Sequence, residues 1–146
     1  MPKKQDTKKT GNNAGLSGVI VGDSAIATVG LKGKGLNYRG YRIEELSEHS
    51  NFEETAFLLL KGHLPSNKEF DDFCRELWSQ RRLPDGLKTI LETFPASSHP
   101  MDITRTIISA LGIFEPENED FSNALECTVR VIGVLGPAIL YWYHFS

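Results

Sequence analysis

Apolar residues along this chain follow two regimes, and the change comes near residue 41. Before it, apolar residues come in short runs, Val19 to Val21 and Ala25 to Val29, separated by Gly22-Asp23. Short β-branched runs around such a turn predict a small hairpin, and Gly30, Gly33 and Gly35 predict a loop after it. Beyond residue 41 apolar positions recur at spacings of three and four, the period of a helix facing a core. Arg42 to His49 reads as a short helix. Asn51 with Glu54, and Ser66 with Glu69, each match a capping box, in which cap and third residue satisfy each other's amides. "FEETAFLLLK", from Phe52, is apolar on most faces, which predicts deep burial, and Gly62 supplies its stop.

Phe70, Phe73, Cys74, Leu77 and Trp78 share one face of the next helix, and Pro84 ends it. Leu87, Ile90, Leu91 and Phe94 form the stripe of another, closed by Pro95. Pro100 suits a helix's first turn, with Asp102 near its positive dipole end, and that helix runs to Gly112. "EPENED", residues 115–120, is an acidic loop. The last helical pattern starts near Ser122, where Gly133, Gly136 and Pro137 predict a kink or a division. The expected fold class is therefore mainly α: a disordered polar tail over 1–14, short strands and a loop over 15–41, and helices over 42–146. "ILYWYHFS" stops in an apolar run without a closing signal, which predicts a portion of a longer chain.

Composition narrows the class. At 146 residues, 40% hydrophobic and 24% charged, the chain fits one soluble domain. A formal charge of -3 gives no electrostatic reason to expect nucleic acid, and the basic cluster near the N-terminus reads as a solvated tail. The apolar stretch 129–145 carries Arg130, two glycines and a proline. It falls short of the ~20 apolar residues of a spanning helix, so a buried core helix is expected rather than a membrane partner. Cys74 and Cys127 match no C-x-x-C pattern, and two thiols suit a reducing, cytoplasmic setting.

Candidate chemistry is sparse. "GLKGKGLN" lacks the residue order of a phosphate loop, and the chain has no G-x-S-x-G elbow. Histidines 49, 63, 99 and 144 are scattered without metal-ligand spacing, so no metal is expected. Two residues are candidates for substrate binding. His99 precedes Pro100, where its imidazole either accepts a backbone amide or faces a cleft. Arg105 follows on the same helix and pairs with a carboxylate, of the protein or of a substrate. For both, the local structural role outweighs the functional one.

"YRGYRIEELSEHSNFEETAFLLLKGHLP" resembles the N-terminal region of the citrate synthase family, with its YRGY turn, FEE-type helix start and G-x-LP closure. "SSHPMDITRTIISALG" and "LYWYHFS" are similar to later segments of that family, in the expected order. Within it, "LSGV", "SHPMD" and "YWYHFS" most resemble bacterial 2-methylcitrate synthases. The resemblance implies the N-terminal part of a large helical domain. It implies an acyltransferase condensing propionyl-CoA or acetyl-CoA with oxaloacetate, with no cofactor beyond the CoA thioester substrate, in a cytoplasmic homodimer. The family's two catalytic histidines and aspartate lie in segments with no counterpart here, so it implies no catalytic residue in this chain and no activity for the chain alone. His99 and Arg105 would at most border the site. The "HPMDITRTIISALG" helix resembles a dimer-interface helix, and its stripe of Met101, Thr104, Ile107, Ile108 and Leu111 is expected to face a partner. A stand-alone helical interaction module is the alternative.

Overall fold

The computed structural model describes residues 24–29 and 35–146. Three two-residue strands, β1 (Ala27–Thr28), β2 (Asn37–Tyr38) and β3 (Tyr41–Arg42), form an antiparallel sheet in the order β1-β2-β3. Tyr38 pairs with Tyr41 across a two-residue turn, Arg39-Gly40, whose φ angles are 49° and 93°. Two successive left-handed residues are what a tight hairpin turn requires, and glycine supplies the second without strain. The "YRGY" motif is thus the hairpin itself. The first arm expected from sequence, Val19 to Val21, and its Gly22-Asp23 turn lie outside the described residues, as does the tail 1–14. Strand structure also reaches Arg42, one residue into the region read as helical.

Six helices follow: α1 (Ile43–His49), α2 (Phe52–Lys61), α3 (Asn67–Ser79), α4 (Asp85–Leu91), α5 (Pro100–Phe114) and α6 (Ala124–Phe145). Both capping boxes form. The Glu54 amide donates to Asn51 Oδ1 at 2.8 Å while the Asn51 amide donates back to Glu54 Oε2 at 2.9 Å. Ser66 and Glu69 do the same. Gly62 closes α2 at φ 90°. α2 is less deeply set than its composition predicts: only Phe57 and Leu58 are buried, and Phe52 is exposed. Likewise, Trp78 on α3 faces solvent although it shares the spacing of buried Phe73 and Leu77.

α6 is one continuous helix of 22 residues with Pro137 inside it, so the expected division does not occur. Its packing explains this. Val129 joins Phe57, Phe73 and Leu77 in one apolar cluster, while Val134, Ala138 and Trp142 join α4 and α5 residues in a second. Burial on both sides of the proline outweighs the one backbone hydrogen bond it removes. Gly133 lets α3 approach: a Cβ there would lie 2.7 Å from Gln80 Cβ and 2.9 Å from the Leu77 carbonyl oxygen.

By length and composition α6 could cross a membrane, with mean hydropathy 1.5 over its most apolar window. It nevertheless carries Arg130 in an ion pair and packs against α3, α4 and α5.

The stripe predicted on α5 divides. Ile107 (0% exposed) and Leu111 lie in this chain's own core, whereas Met101 (65%) and Ile108 face solvent. The reason is registry: α6 and α4 take the Ile103, Ile107, Ala110, Leu111 side of α5. Ile107 is therefore a core residue, and only the exposed residues remain open to a partner.

Candidate functional site

His99 is the N-cap of α5, and its Nδ1 accepts the Met101 amide at 3.2 Å. That bond fixes the ring against the helix start and uses the nitrogen that would otherwise serve as a base. Arg105 Nη2 donates to Asp102 Oδ1 at 2.9 Å, one turn earlier on the same exposed face. An i,i+3 pair in solvent contributes a few tenths of a kcal/mol (about 0.3) and leaves the guanidinium hydrated. The two candidates share a helix end but converge on no cleft among those described below.

The charged centre of the molecule is elsewhere, at Arg130. This side chain, 16% exposed, rises from α6 into the gap between the ends of α3 and α5. Nε donates to Glu115 Oε2 at 2.6 Å and Nη2 to Glu115 Oε1 at 2.9 Å, a two-pronged pair. Nη1 donates to the carbonyl oxygens of Gln80 and, at 3.0 Å, Arg82. Gln80 is the C-cap of α3 and Glu115 the C-cap of α5, so one guanidinium satisfies acceptors at two helix C-termini. The Arg130 hydrogen bond is also the main reason the Glu115 carboxyl is held below the usual carboxylate range. The sequence signal for this hub is a lone arginine in an apolar helix, which by itself argues only against a membrane span.

Above Arg130 opens a cleft of about 650 Å³, walled by Leu111, Gly112, Glu117, Glu126, Cys127 and Val131 among others. Ile108, Leu111 and Val131 give its apolar side, and Glu115, Glu117, Asn123 and Glu126 its polar side. The 115–120 loop is held by Asn123, whose Oδ1 accepts the Asn118 amide at 2.7 Å, and by Asp120, which accepts the Ser122 amide at 3.1 Å. The second bond is the leading reason that the Asp120 pKa is lowered. Arg130 is already occupied by Glu115, so the lining presents carboxylates without a free cation to bind an acidic substrate. Among the described residues no three His, Cys, Asp or Glu side chains gather as metal ligands.

Two other polar contacts tie elements together. His63 Nε2 lies 3.2 Å from Glu69 Oε1, and its ring meets Phe57 edge-on at 5.4 Å. Chiefly through the Ser66 amide and hydroxyl, the Glu69 pKa is lowered to about 2. The Tyr141 hydroxyl donates to Glu92 Oε1 at 2.5 Å, joining α6 to the end of α4, and that bond raises the phenol's pKa. These contacts brace helices against one another.

Comparison with known proteins gives a family and a fold. The family described as "Citrate synthase, C-terminal domain" matches residues 15–146. The 2-methylcitrate synthase of Shewanella oneidensis is 43% identical over 141 residues, covering 97% of this chain and 37% of the relative. That of Mycobacterium tuberculosis is 36% identical over 138 residues, covering 94% of this chain and 34% of the relative. Citrate synthase of Thermotoga maritima superposes with a TM-score of 0.75 at 35% identity, over 90% of this chain and 34% of that one. The citrate synthase of Thermoplasma acidophilum, solved as a ternary complex with carboxymethyl coenzyme A and oxaloacetate, shares the fold at TM-score 0.78 and 21% identity, over 90% of this chain and 35% of that one. The chain thus spans about a third of the length of the relatives it matches, and with family match, helix order and superposition in agreement, it belongs to the citrate synthase family.

Proposed function

We propose that this chain supplies the helical scaffold of an enzyme that condenses propionyl-CoA with oxaloacetate to give 2-methylcitrate and CoA, with acetyl-CoA and citrate as the parallel pair. The observation that carries the reading is the 43% identity to a 2-methylcitrate synthase across almost the whole chain, within only 37% of that relative's length. In this chemistry a base removes a proton from the carbon beside the thioester carbonyl, and the resulting enolate attacks the oxaloacetate ketone. Water then cleaves the thioester and releases CoA. A carboxylate base and hydrogen-bond donors to enolate and ketone are the groups such steps need.

His99 and Arg105 do not provide them, since one caps α5 and the other pairs with Asp102. The reading assigns the catalytic histidines and aspartate to parts of the fold outside these residues. The reading needs no metal and no cofactor besides the CoA thioester, and it includes a cytoplasmic homodimer.

The test uses oxaloacetate-dependent thiol release. The chain alone should give the buffer rate with either thioester. A chimera in which residues 15–146 replace the matching part of the Shewanella enzyme should be active, with the larger kcat/KM for propionyl-CoA. Turnover by the chain alone would place catalytic groups within it, and a folded but inactive chimera would remove the scaffold role.

A further inference from the structure

Independently of the condensation reaction, we propose that the cleft above Arg130 is a docking groove for the lysine-rich segment of this same chain, residues 1–14. Two kinds of surface meet in the cleft. Ile108, 44% exposed, makes an apolar wall with Leu111 and Val131, and Glu117 and Glu126 stand beside it. Glu115 is neutralised by Arg130, but among the described residues Glu117 and Glu126 have no ion pair. From 115 to 126 the chain carries Glu115, Glu117, Glu119, Asp120 and Glu126 and no lysine or arginine. Such an uncompensated run attracts cationic partners.

The rim of the cleft is set in advance. Asn118 Nδ2 donates to Ser122 Oγ at 2.9 Å, and the Phe121 amide donates to the Asn118 carbonyl at 2.9 Å. Phe121 is held at φ 56°, a left-handed conformation that a bulky residue adopts only where its surroundings enforce it. A loop tied in this way loses little freedom when an occupant arrives.

An apolar wall beside unpaired carboxylates suits lysine in particular. Its four-carbon stem lies along apolar surface while the ammonium reaches a carboxylate. Segment 1–14 supplies Lys3, Lys4, Lys8 and Lys9 against Asp6 alone. Its reach is ample. Residues 1–23 precede the first described residue, Ser24, and at full extension span about 75 Å, against a radius of gyration of about 15 Å for a domain of this length. Tethering keeps the lysines near the cleft at about millimolar effective concentration, so ion pairs too weak to capture a separate peptide suffice within one chain.

Paramagnetic relaxation in the full chain tests the contact. Thr7→Cys, in a Cys74→Ser and Cys127→Ser background, carries a nitroxide beside Lys8. At low ionic strength the amide signals of Glu117, Glu126 and Val131 should broaden, while Glu92 and Tyr141, which line no part of the cleft, should keep their intensity. Lys3→Glu, Lys4→Glu, Lys8→Glu and Lys9→Glu together should cut the relaxation enhancement about fivefold, because the contact is electrostatic and exposed. Glu117→Lys with Glu126→Lys should do the same, and joining the two sets of changes should restore the enhancement. The spectrum of each variant with the nitroxide reduced reports that the helices stay folded.

No broadening at the cleft overturns the proposal, as does broadening that ignores either charge reversal, fails to return when both are joined, or spreads evenly to Glu92 and Tyr141. A mixed sample, with the nitroxide on one chain and the isotope label on another, separates the sources. Broadening there would make a second copy's segment the occupant and would also overturn it.

Discussion

Gly133 and Gly136 stand three residues apart on α6, and their surroundings predict opposite responses to the same change. At Gly133 a methyl group would press on Gln80 Cβ and on the Leu77 carbonyl, which is backbone and cannot swing away. Gly133→Ala should therefore lower stability by about 1–3 kcal/mol, because overpacking exceeds the helix-propensity gain of about 1 kcal/mol. Gly136→Ala meets nothing and should raise stability by about 0.5–1 kcal/mol. Urea denaturation of both variants checks the pair, and equal shifts would show that α3 does not sit where described. Ile107 gives a second residue-level test. It is fully buried against α6, so Ile107→Asp places an unpaired charge in the core and should abolish helical circular dichroism at neutral pH. A folded Ile107→Asp chain, altered only in association, would instead return this residue to an interface.

Among the helices, Arg130 is the element-level joint. Arg130→Met keeps the apolar stem but strips partners from Glu115, Gln80 and Arg82, and should cost about 2–3 kcal/mol after allowing for the partial exposure of Glu115. The same joint sets a pH dependence. Glu115 and Glu69 have lowered pKa values in the folded chain, so the stability they contribute is present above the ordinary 4.5 and is lost as pH falls through the folded value, about 2 for Glu69. Denaturation midpoints should thus decline from pH 4.5 toward pH 2, and Glu69→Gln should decline less steeply over that window. An unchanged slope in that variant would refute the assignment. Element order was legible because helix ends are signalled locally: Asn51 and Ser66 with their glutamates, Gly62, and Pro100 all stand where the sequence places them. What was not legible depends on contacts distant along the chain. Nothing near Trp78 or Met101 says which side of the helix meets a neighbour, and nothing near Arg130 announces Gln80, fifty residues earlier. Of the candidate site, the capping role of His99 was readable, while the cleft above Arg130 arises only when α5 and α6 pack.

At the scale of the molecule, α6 decides whether the described helices behave as one unit. The cluster around α2 and α3 contains Phe57, Phe73 and Leu77; the one around α4 and α5 contains Leu87, Leu91 and Ile107. Each is completed by α6, through Val129 in the first and Val134, Ala138 and Trp142 in the second. Neither half can lose α6 without exposing apolar surface in the other, so the two should unfold in a single transition. Two reporters separate the halves. Trp142 is buried in the second cluster, and in a Trp78→Phe background its fluorescence follows that side. Cys74 lies on α3, where burial and then the charges of Glu53, Asp71 and Glu54 raise its thiol pKa, so its labelling in a Cys127→Ser background follows the other. Val129→Ala and Val134→Ala each remove two buried methyl groups and should each cost about 1.5–2.5 kcal/mol. Because α6 is shared, either change should move both reporters to the same new midpoint. A midpoint that shifts at Trp142 alone for Val134→Ala, with Cys74 unmoved, would divide the chain into two independent units and make α6 a connector between them.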